Sequence, residues 1–181
     1  MPSRNIVAGA VAGLCLIALA ACSGRGDSAN RTEAAASGPD SAGAASGQAD
    51  AAGIRKTLAA YNDALNRGRT DAVLPLYTPD GIFMPPYSPS AIGQDAIRKA
   101  YDAVFRELKF NVRFNIAELV QMAPTWAYVR TNSAGTTHHA STGKTGAEAN
   151  QELFIFRKAE DGRWRIARYS FSPTNPPSPS G

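Results

Sequence analysis

Up to Leu108 the large apolar residues of this 181-residue sequence recur at helical spacing, and from Phe110 onward they recur at every second position. That single change of period orders the fold: helices first, then a run of strands, each with one apolar face that must be covered. Ile54, Leu58, Tyr61 and Leu65 stand at steps of four, three and four, so they share one face of a helix that Asn66-Arg67-Gly68 stops. Thr70 caps a short helix over 71–77, Thr78-Pro79-Asp80-Gly81 reads as a turn, and Ile82–Met84 as a brief strand. Beyond the prolines Pro85, Pro86 and Pro89, a helix from Gln94 puts Ile97, Tyr101, Phe105 and Leu108 on one face. Four strands follow, over 110–116, 126–136, 147–157 and 163–172, with Asp161-Gly162 turning the last hairpin. The expected class is α+β, with N-terminal helices on one face of an antiparallel sheet.

The segments outside this pattern differ in kind. Residues 1–21 have one charge, Arg4, followed by an uncharged Val/Ala/Gly/Leu/Ile run, the features of a secretory signal. Leu19-Ala20-Ala21-Cys22-Ser23 resembles a bacterial lipobox, which makes Cys22 the expected lipidation site and a membrane the expected partner through it. Ser23 after the cysteine, rather than an aspartate, favours the outer membrane of the bacterial envelope, periplasmic side. Residues 22–50 read as a disordered tether: from Ser23 on, 18 of 28 residues are Ala, Ser or Gly and none is a large apolar residue. Such a coil spans on the order of 30 Å. The folded domain is then 51–172, and the Pro-rich residues 173–181 form a frayed end.

Composition removes several functional classes. Residues 51–181 hold 16 basic and 11 acidic side chains but no Lys/Arg run, which disfavours nucleic acid as a partner. Both cysteines, Cys15 and Cys22, precede the domain, so it has no disulfide, thiol nucleophile or cysteine metal site. His138 and His139 are adjacent and point to opposite faces of a strand, so no metal is expected. Gly143-Lys144-Thr145 lacks the earlier glycine of a phosphate loop, and no cofactor is expected either.

Taken together, Tyr77-Thr78-Pro79-Asp80-Gly81-Ile82, Ile92-Gly93-Gln94-Asp95-Ala96-Ile97 and Asp161-Gly162-Arg163-Trp164-Arg165-Ile166-Ala167-Arg168 resemble the nuclear transport factor 2-like (NTF2-like) superfamily, in its SnoaL-like bacterial branch. The resemblance covers residues 51–172 and implies a cone: a curved sheet wrapped around the helices, with an open pocket. It fixes no activity, because the superfamily includes isomerases, cyclases, a dehydratase and non-catalytic modules. By resemblance to its steroid isomerases, the proton-donating tyrosine falls on Tyr61, seven residues before Gly68. The general base falls on Pro85, which cannot take a proton, and the second donor falls near Asn150. Tyr61 also fits the apolar face of its helix, where packing is its other role.

Strand pairing supplies a second constellation. With the last hairpin centred on Asp161-Gly162 and the previous one near Ser141-Thr142, Glu152 faces Arg168 on one side and Arg130 on the other. One sheet face then runs from Trp126, Tyr128, Phe154, Phe156, Trp164 and Ile166 to a polar end of Arg130, Asn132, Asn150, Glu152, Arg168 and Ser170. Met84 and Tyr101 complete the expected pocket lining. Two guanidinia about one carboxylate would hold an anionic or carbonyl-bearing ligand, with Glu152 available as a base; equally, the trio is a self-neutralising ion-pair ladder. The opposite face (Ala127, Val129, Thr131, Leu153, Ile155, Ala167, Tyr169, Phe171) is small or apolar and suits a homodimer. The expected function is binding of a small, partly apolar molecule in the cone. The alternatives are a cofactor-free isomerase, cyclase or hydrolase using Tyr61 and Glu152, and a structural dimerisation module.

Overall fold

The computed structural model describes residues 39–174. The signal-like residues 1–21, Cys22, the tether up to residue 38 and the Pro-rich end from residue 175 lie outside the described residues.

The first helix, α1, runs Pro39–Asn66, so twelve residues assigned to the tether are helical. The physical reason is cooperativity: once Ile54, Leu58, Tyr61 and Leu65 dock and nucleate the helix, an Ala-rich extension propagates at little cost. The buried Asp50 anchors that extension, accepting hydrogen bonds from Lys158 Nζ (2.6 Å), Trp164 Nε1 (3.0 Å) and Gln121 Nε2 (3.1 Å). Gly68 ends the helix as expected, at φ 63°, with Arg69 N–H donating to Ala64 O and Gly68 N–H to Leu65 O. Helix α2 (Thr70–Val73) passes into a 3₁₀ turn, Leu74–Leu76, where Pro75 fits the first turn.

Strand β1 (Tyr77–Met84) and the two-residue β2 (Ala91–Ile92) precede helix α3 (Gly93–Glu107). Strands β3 (Leu108–Ala123), β4 (Trp126–His139), β5 (Thr145–Lys158) and β6 (Trp164–Pro173) then follow without another helix. The four strands are longer than the alternation alone marked out, and the last reaches Pro173, with Thr174 N–H donating to Ala149 O. Residues 78–81 form the irregular turn within β1: between its pairings at Tyr77 and Ile82, the partner strand advances only from Ile166 to Arg168.

The sheet has six strands in the order β2-β1-β6-β5-β4-β3. The α+β class holds, with one difference of detail: β1 runs parallel to β6, because α3 and β3–β5 intervene before the chain returns beside it. Register shifts at Ile116/Glu118, Gln121/Ala123 and Ile155/Phe156 bend the sheet, and α1 and α3 pack into its concave side. Gly135 permits the tightest approach: a Cβ there would collide with the carbonyl of Asn111 on β3.

Sheet register departs from expectation by one residue in β4. Glu152 pairs with Thr131, not Arg130, and with Phe171, not Arg168. Because side chains alternate, that slip turns Ala127, Val129, Thr131 and Ser133 inward and Tyr128, Arg130 and Asn132 outward. On β6 the bulge at Ile155/Phe156 does the same: Trp164 and Ile166 point inward as expected, but Tyr169 and Phe171 also do, leaving Arg168 and Ser170 outside. The expected dimer face is therefore only partly external, since of its members Ala127, Val129, Thr131, Ala167 and Tyr169 are buried.

Candidate functional site

A cavity of about 130 Å³ lies between the helices and the concave face of the sheet. Tyr61 and Leu65 come to it from α1, Tyr101 and Val104 from α3, and Phe83 and Pro85 from the end of β1. Strand β3 adds Phe110, Val112 and Phe114, and β6 adds Tyr169 and Phe171. The polar part comes from β4 and β5: Ser133, Glu148, Asn150 and Glu152. Period two explains the grouping, since every second residue of each strand faces the cavity.

The aromatic walls are ordered by direct ring contact. Phe154 and Tyr169 stack at 4.2 Å between centroids, and Phe83 stacks on Tyr101 at 4.8 Å. Tyr61 meets Tyr101, Phe114, Phe154 and Tyr169 edge-on. Its hydroxyl lies 2.7 Å from that of Tyr101, which lies 3.0 Å from that of Tyr77. The Tyr169 hydroxyl also interacts with that of Tyr61, so the phenol network has four members. Burial raises the pKa of each phenol well above its ordinary range, so all four are neutral donors.

Glu152 is the unusual group. It is only 4% exposed, yet among the described residues no cationic side chain forms an ion pair with it. The Thr131 hydroxyl donates to Oε2 at 2.5 Å, while no donor reaches Oε1. Burial pushes its pKa up, the Ser133 and Thr131 hydroxyls pull it down, and the charge of Glu148 raises it again. Glu148 itself accepts from Thr137 Oγ1 at 3.0 Å and from Asn150 Nδ2 at 2.8 Å.

Of the residues expected at the site, Tyr61, Tyr101, Asn150 and Glu152 come together here. Arg130 does not: it is exposed on the outer face and donates to Glu118 Oε2 at 2.7 Å. Arg168 also points outward, donating to the carbonyls of Asp80 and Ala167. Asn132 is exposed by the same register slip, and Met84 stands outside the lining while its neighbours Phe83 and Pro85 are part of it. The Arg130–Glu152–Arg168 ladder is thus absent, and the pocket carries no guanidinium. Pro85 stands where the isomerase resemblance puts a base, so the cavity has no carboxylate at that position. Thr131, Ser133 and Glu148 were not anticipated; alternation through β5 from Glu152 would have found Glu148. His138 Nδ1 lies 3.1 Å from Thr145 Oγ1 and His139 Nδ1 lies 3.9 Å from Glu107 Oε1; among the described residues no group of three or more such side chains could hold a metal ion.

Fold and site together define a small pocket-bearing α+β domain, in which a mixed sheet and two helices enclose an aromatic cavity with a carboxyl group at its polar end. The SnoaL-like domain family matches residues 58–168, and the chain belongs to that family. Among solved structures it is similar to a ketosteroid isomerase-like protein from Erwinia carotovora atroseptica, with 39% identity over 69% of this chain and 96% of that one, and a TM-score of 0.67. It shares its fold with a putative scytalone dehydratase from Novosphingobium aromaticivorans (16% identity, 73% and 89% coverage, TM-score 0.63). The same holds for a hexachlorocyclohexane dehydrochlorinase from Novosphingobium barchaimii (10% identity, 73% and 91% coverage, TM-score 0.66). No curated protein matches the sequence.

Proposed function

We propose that this domain binds a small, mostly apolar molecule in the cone cavity. The observation that carries the reading is the cavity itself: it is walled by aromatic side chains, and neither Trp126 nor Trp164 fills it. The relatives named as isomerase-like, dehydratase and dehydrochlorinase support a small-molecule role for the fold. Mass spectrometry of protein isolated under native conditions from its own cells tests it. A retained small molecule that a Phe114→Trp variant loses is the expected result, and a cavity that takes up no small molecule refutes the reading.

One observation favours a catalytic use of the same cavity. Glu152 has an unoccupied Oε1, a raised pKa and a place beside Tyr61 in the lining. In this second reading Glu152 takes a proton from carbon or oxygen of the bound molecule, and a phenol hydroxyl of the Tyr61 network donates a hydrogen bond to the negative charge that results. The reaction is a cofactor-free isomerisation, elimination or cyclisation. Incubation of candidate carbonyl compounds in deuterium oxide tests it, with exchange expected to depend on Glu152.

The N-terminal sequence supports attachment to the bacterial envelope through a lipid on Cys22, with the domain on the periplasmic side. Metabolic labelling with a clickable fatty acid should mark the protein and should fail in Cys22→Ala. A homodimer through the outer sheet face, where Leu153 is 42% exposed near Ile155 and Tyr128, is the corresponding reading for self-association, and sedimentation equilibrium tests it.

A further inference from the structure

Two acceptors at the polar end of the cavity make no hydrogen bond to the described residues, Oε1 of Glu152 and Oδ1 of Asn150, and the Ser133 hydroxyl, which accepts from Asn150 Nδ2 at 3.5 Å, is the nearby donor that lowers the Glu152 pKa. Both residues are more than nine-tenths buried, at 4% and 8% exposure. The Asn150 amide is oriented by its surroundings, because Nδ2 donates to Glu148 Oε1 at 2.8 Å and so leaves Oδ1 as the free end. Leaving a buried acceptor unsatisfied is costly, and more so for a charged one, so two of them bordering one cavity point to a ligand that donates.

The charge of the lining has one sign. Glu148 and Glu152 border the cavity, and no lysine, arginine or histidine does. Much of the rest of the lining is aromatic, with Tyr61, Phe83, Tyr101, Phe114, Tyr169 and Phe171 beside aliphatic side chains such as Leu65 and Val112. Ring faces attract cations, and they do so most where water is excluded.

We propose that the cavity takes a small organic cation, a protonated amine with a compact apolar body. Its N–H groups donate to Glu152 Oε1 and Asn150 Oδ1, and its body lies against the aromatic walls. The inference rests on the reading that the cavity binds a small molecule, and adds the chemical class. An ammonium satisfies both acceptors and neutralises the carboxylate at once. A hydroxyl has one proton to give, and a carboxylate ligand has none and meets two like charges. Size sets a further limit: at about 130 Å³ the cavity is slightly smaller than one of about 150 Å³ that takes benzene, so a single ring with a short amine arm is the upper bound.

The test uses the purified full chain and four matched compounds at neutral pH: benzylamine, benzyl alcohol, toluene and benzoate, with binding followed by calorimetry and by shifts of the aromatic side-chain resonances. Benzylamine should bind about tenfold or more tighter than benzyl alcohol, with benzoate not binding. Glu152→Gln should bring benzylamine down to the level of benzyl alcohol while toluene binding is unchanged, which establishes that the cavity is intact. Benzylamine no tighter than benzyl alcohol, or benzoate as tight as benzylamine, overturns the cation assignment. If toluene and benzyl alcohol still bind in that event, the small-molecule reading stands without it. Failure of all four against a folded chain overturns both. The comparison on the unaltered chain decides the matter even where the variant does not fold.

Discussion

Thr131 and Glu152 stand opposite each other on β4 and β5, and the threonine hydroxyl donates to Oε2 of the buried carboxylate at 2.5 Å. This hydrogen bond holds one oxygen of Glu152 still while the other is left without a protein donor. Thr131→Val keeps the shape and removes the donor. It should destabilise the fold at neutral pH by about 1–3 kcal/mol, because the charged group then lies buried with still less compensation. Urea denaturation at pH 7 measures the loss, and a variant as stable as the parent would mean the hydrogen bond contributes nothing.

The raised pKa of Glu152 makes stability fall with increasing pH. The folded chain holds this proton more tightly than the unfolded one, so its contribution is fully present below the ordinary carboxylate value of 4.5 and is lost as pH rises through the folded value. Glu152→Gln carries no proton to lose. The parent should therefore lose stability relative to Glu152→Gln as pH rises from 4.5, and the difference should level off once Glu152 is fully ionised. Denaturation midpoints of both proteins from pH 4 to 8 check the slope, and parallel profiles would refute it.

Arg130 and Arg168 belong to the outer face, so neither should influence what the cavity binds. Arg130→Ala breaks an exposed, solvent-screened ion pair with Glu118, so little or no loss of stability is expected. Toluene or benzylamine affinity should be unchanged in Arg130→Ala and in Arg168→Ala. A loss of binding in either would restore the arginines to the site.

The positions of these arginines mark where sequence reasoning stops. Period alone places Phe154, Phe156, Glu152 and Asn150 on one face of β5, and the structure agrees. Which residues of β4 and β6 join them depends on register, and register follows from the turns: pairing about Ser141-Thr142 and Asp161-Gly162 sets Thr131 and Phe171 opposite Glu152, where the expected partners were Arg130 and Arg168. A slip of one residue exchanged Arg130 for Thr131 and left a pocket bordered by two carboxyl groups and no guanidinium. Tyr61 and Tyr101 were legible because helical faces tolerate small errors of phase: a residue near the middle of an apolar stripe stays on it. The early start of α1 was not legible, since the side chains that secure Asp50 are Gln121, Lys158 and Trp164, all distant in the chain.

Asp50 yields a prediction about that extension. Its pKa is lowered, first by the hydrogen bond from Lys158, against the opposing effect of burial. The stability it contributes is present above the ordinary value of 3.8 and lost as pH falls through the folded value. Asp50→Ala leaves the Trp164 Nε1 donor and the Lys158 ammonium without this acceptor, at a cost of about 1–3 kcal/mol. Trp164 fluorescence should change in the native state of the variant, and the residues before 50 should lose amide protection first. Unchanged hydrogen exchange there would show that the helix extension does not need the anchor.

The three phenols separate a middle position from an end one. Tyr101 is hydrogen-bonded to both Tyr61 and Tyr77, whereas Tyr77 touches only Tyr101 within this chain of hydroxyls. Tyr101→Phe deletes two hydrogen bonds, leaving the Tyr77 hydroxyl without this partner and Tyr61 with Tyr169, so about 1–3 kcal/mol of stability should be lost. Tyr77→Phe deletes one, and Tyr101 keeps its bond to Tyr61, so a loss nearer about 1 kcal/mol is expected. The ring contacts of Tyr101 with Phe83 and Phe105 persist in the phenylalanine variant, which confines the difference to the hydroxyls. Urea titrations of the two variants and of the double variant measure the coupling. If the hydroxyls act as one chain, the double variant costs less than the two single losses combined, because removing Tyr101 has already broken the bond that Tyr77 made.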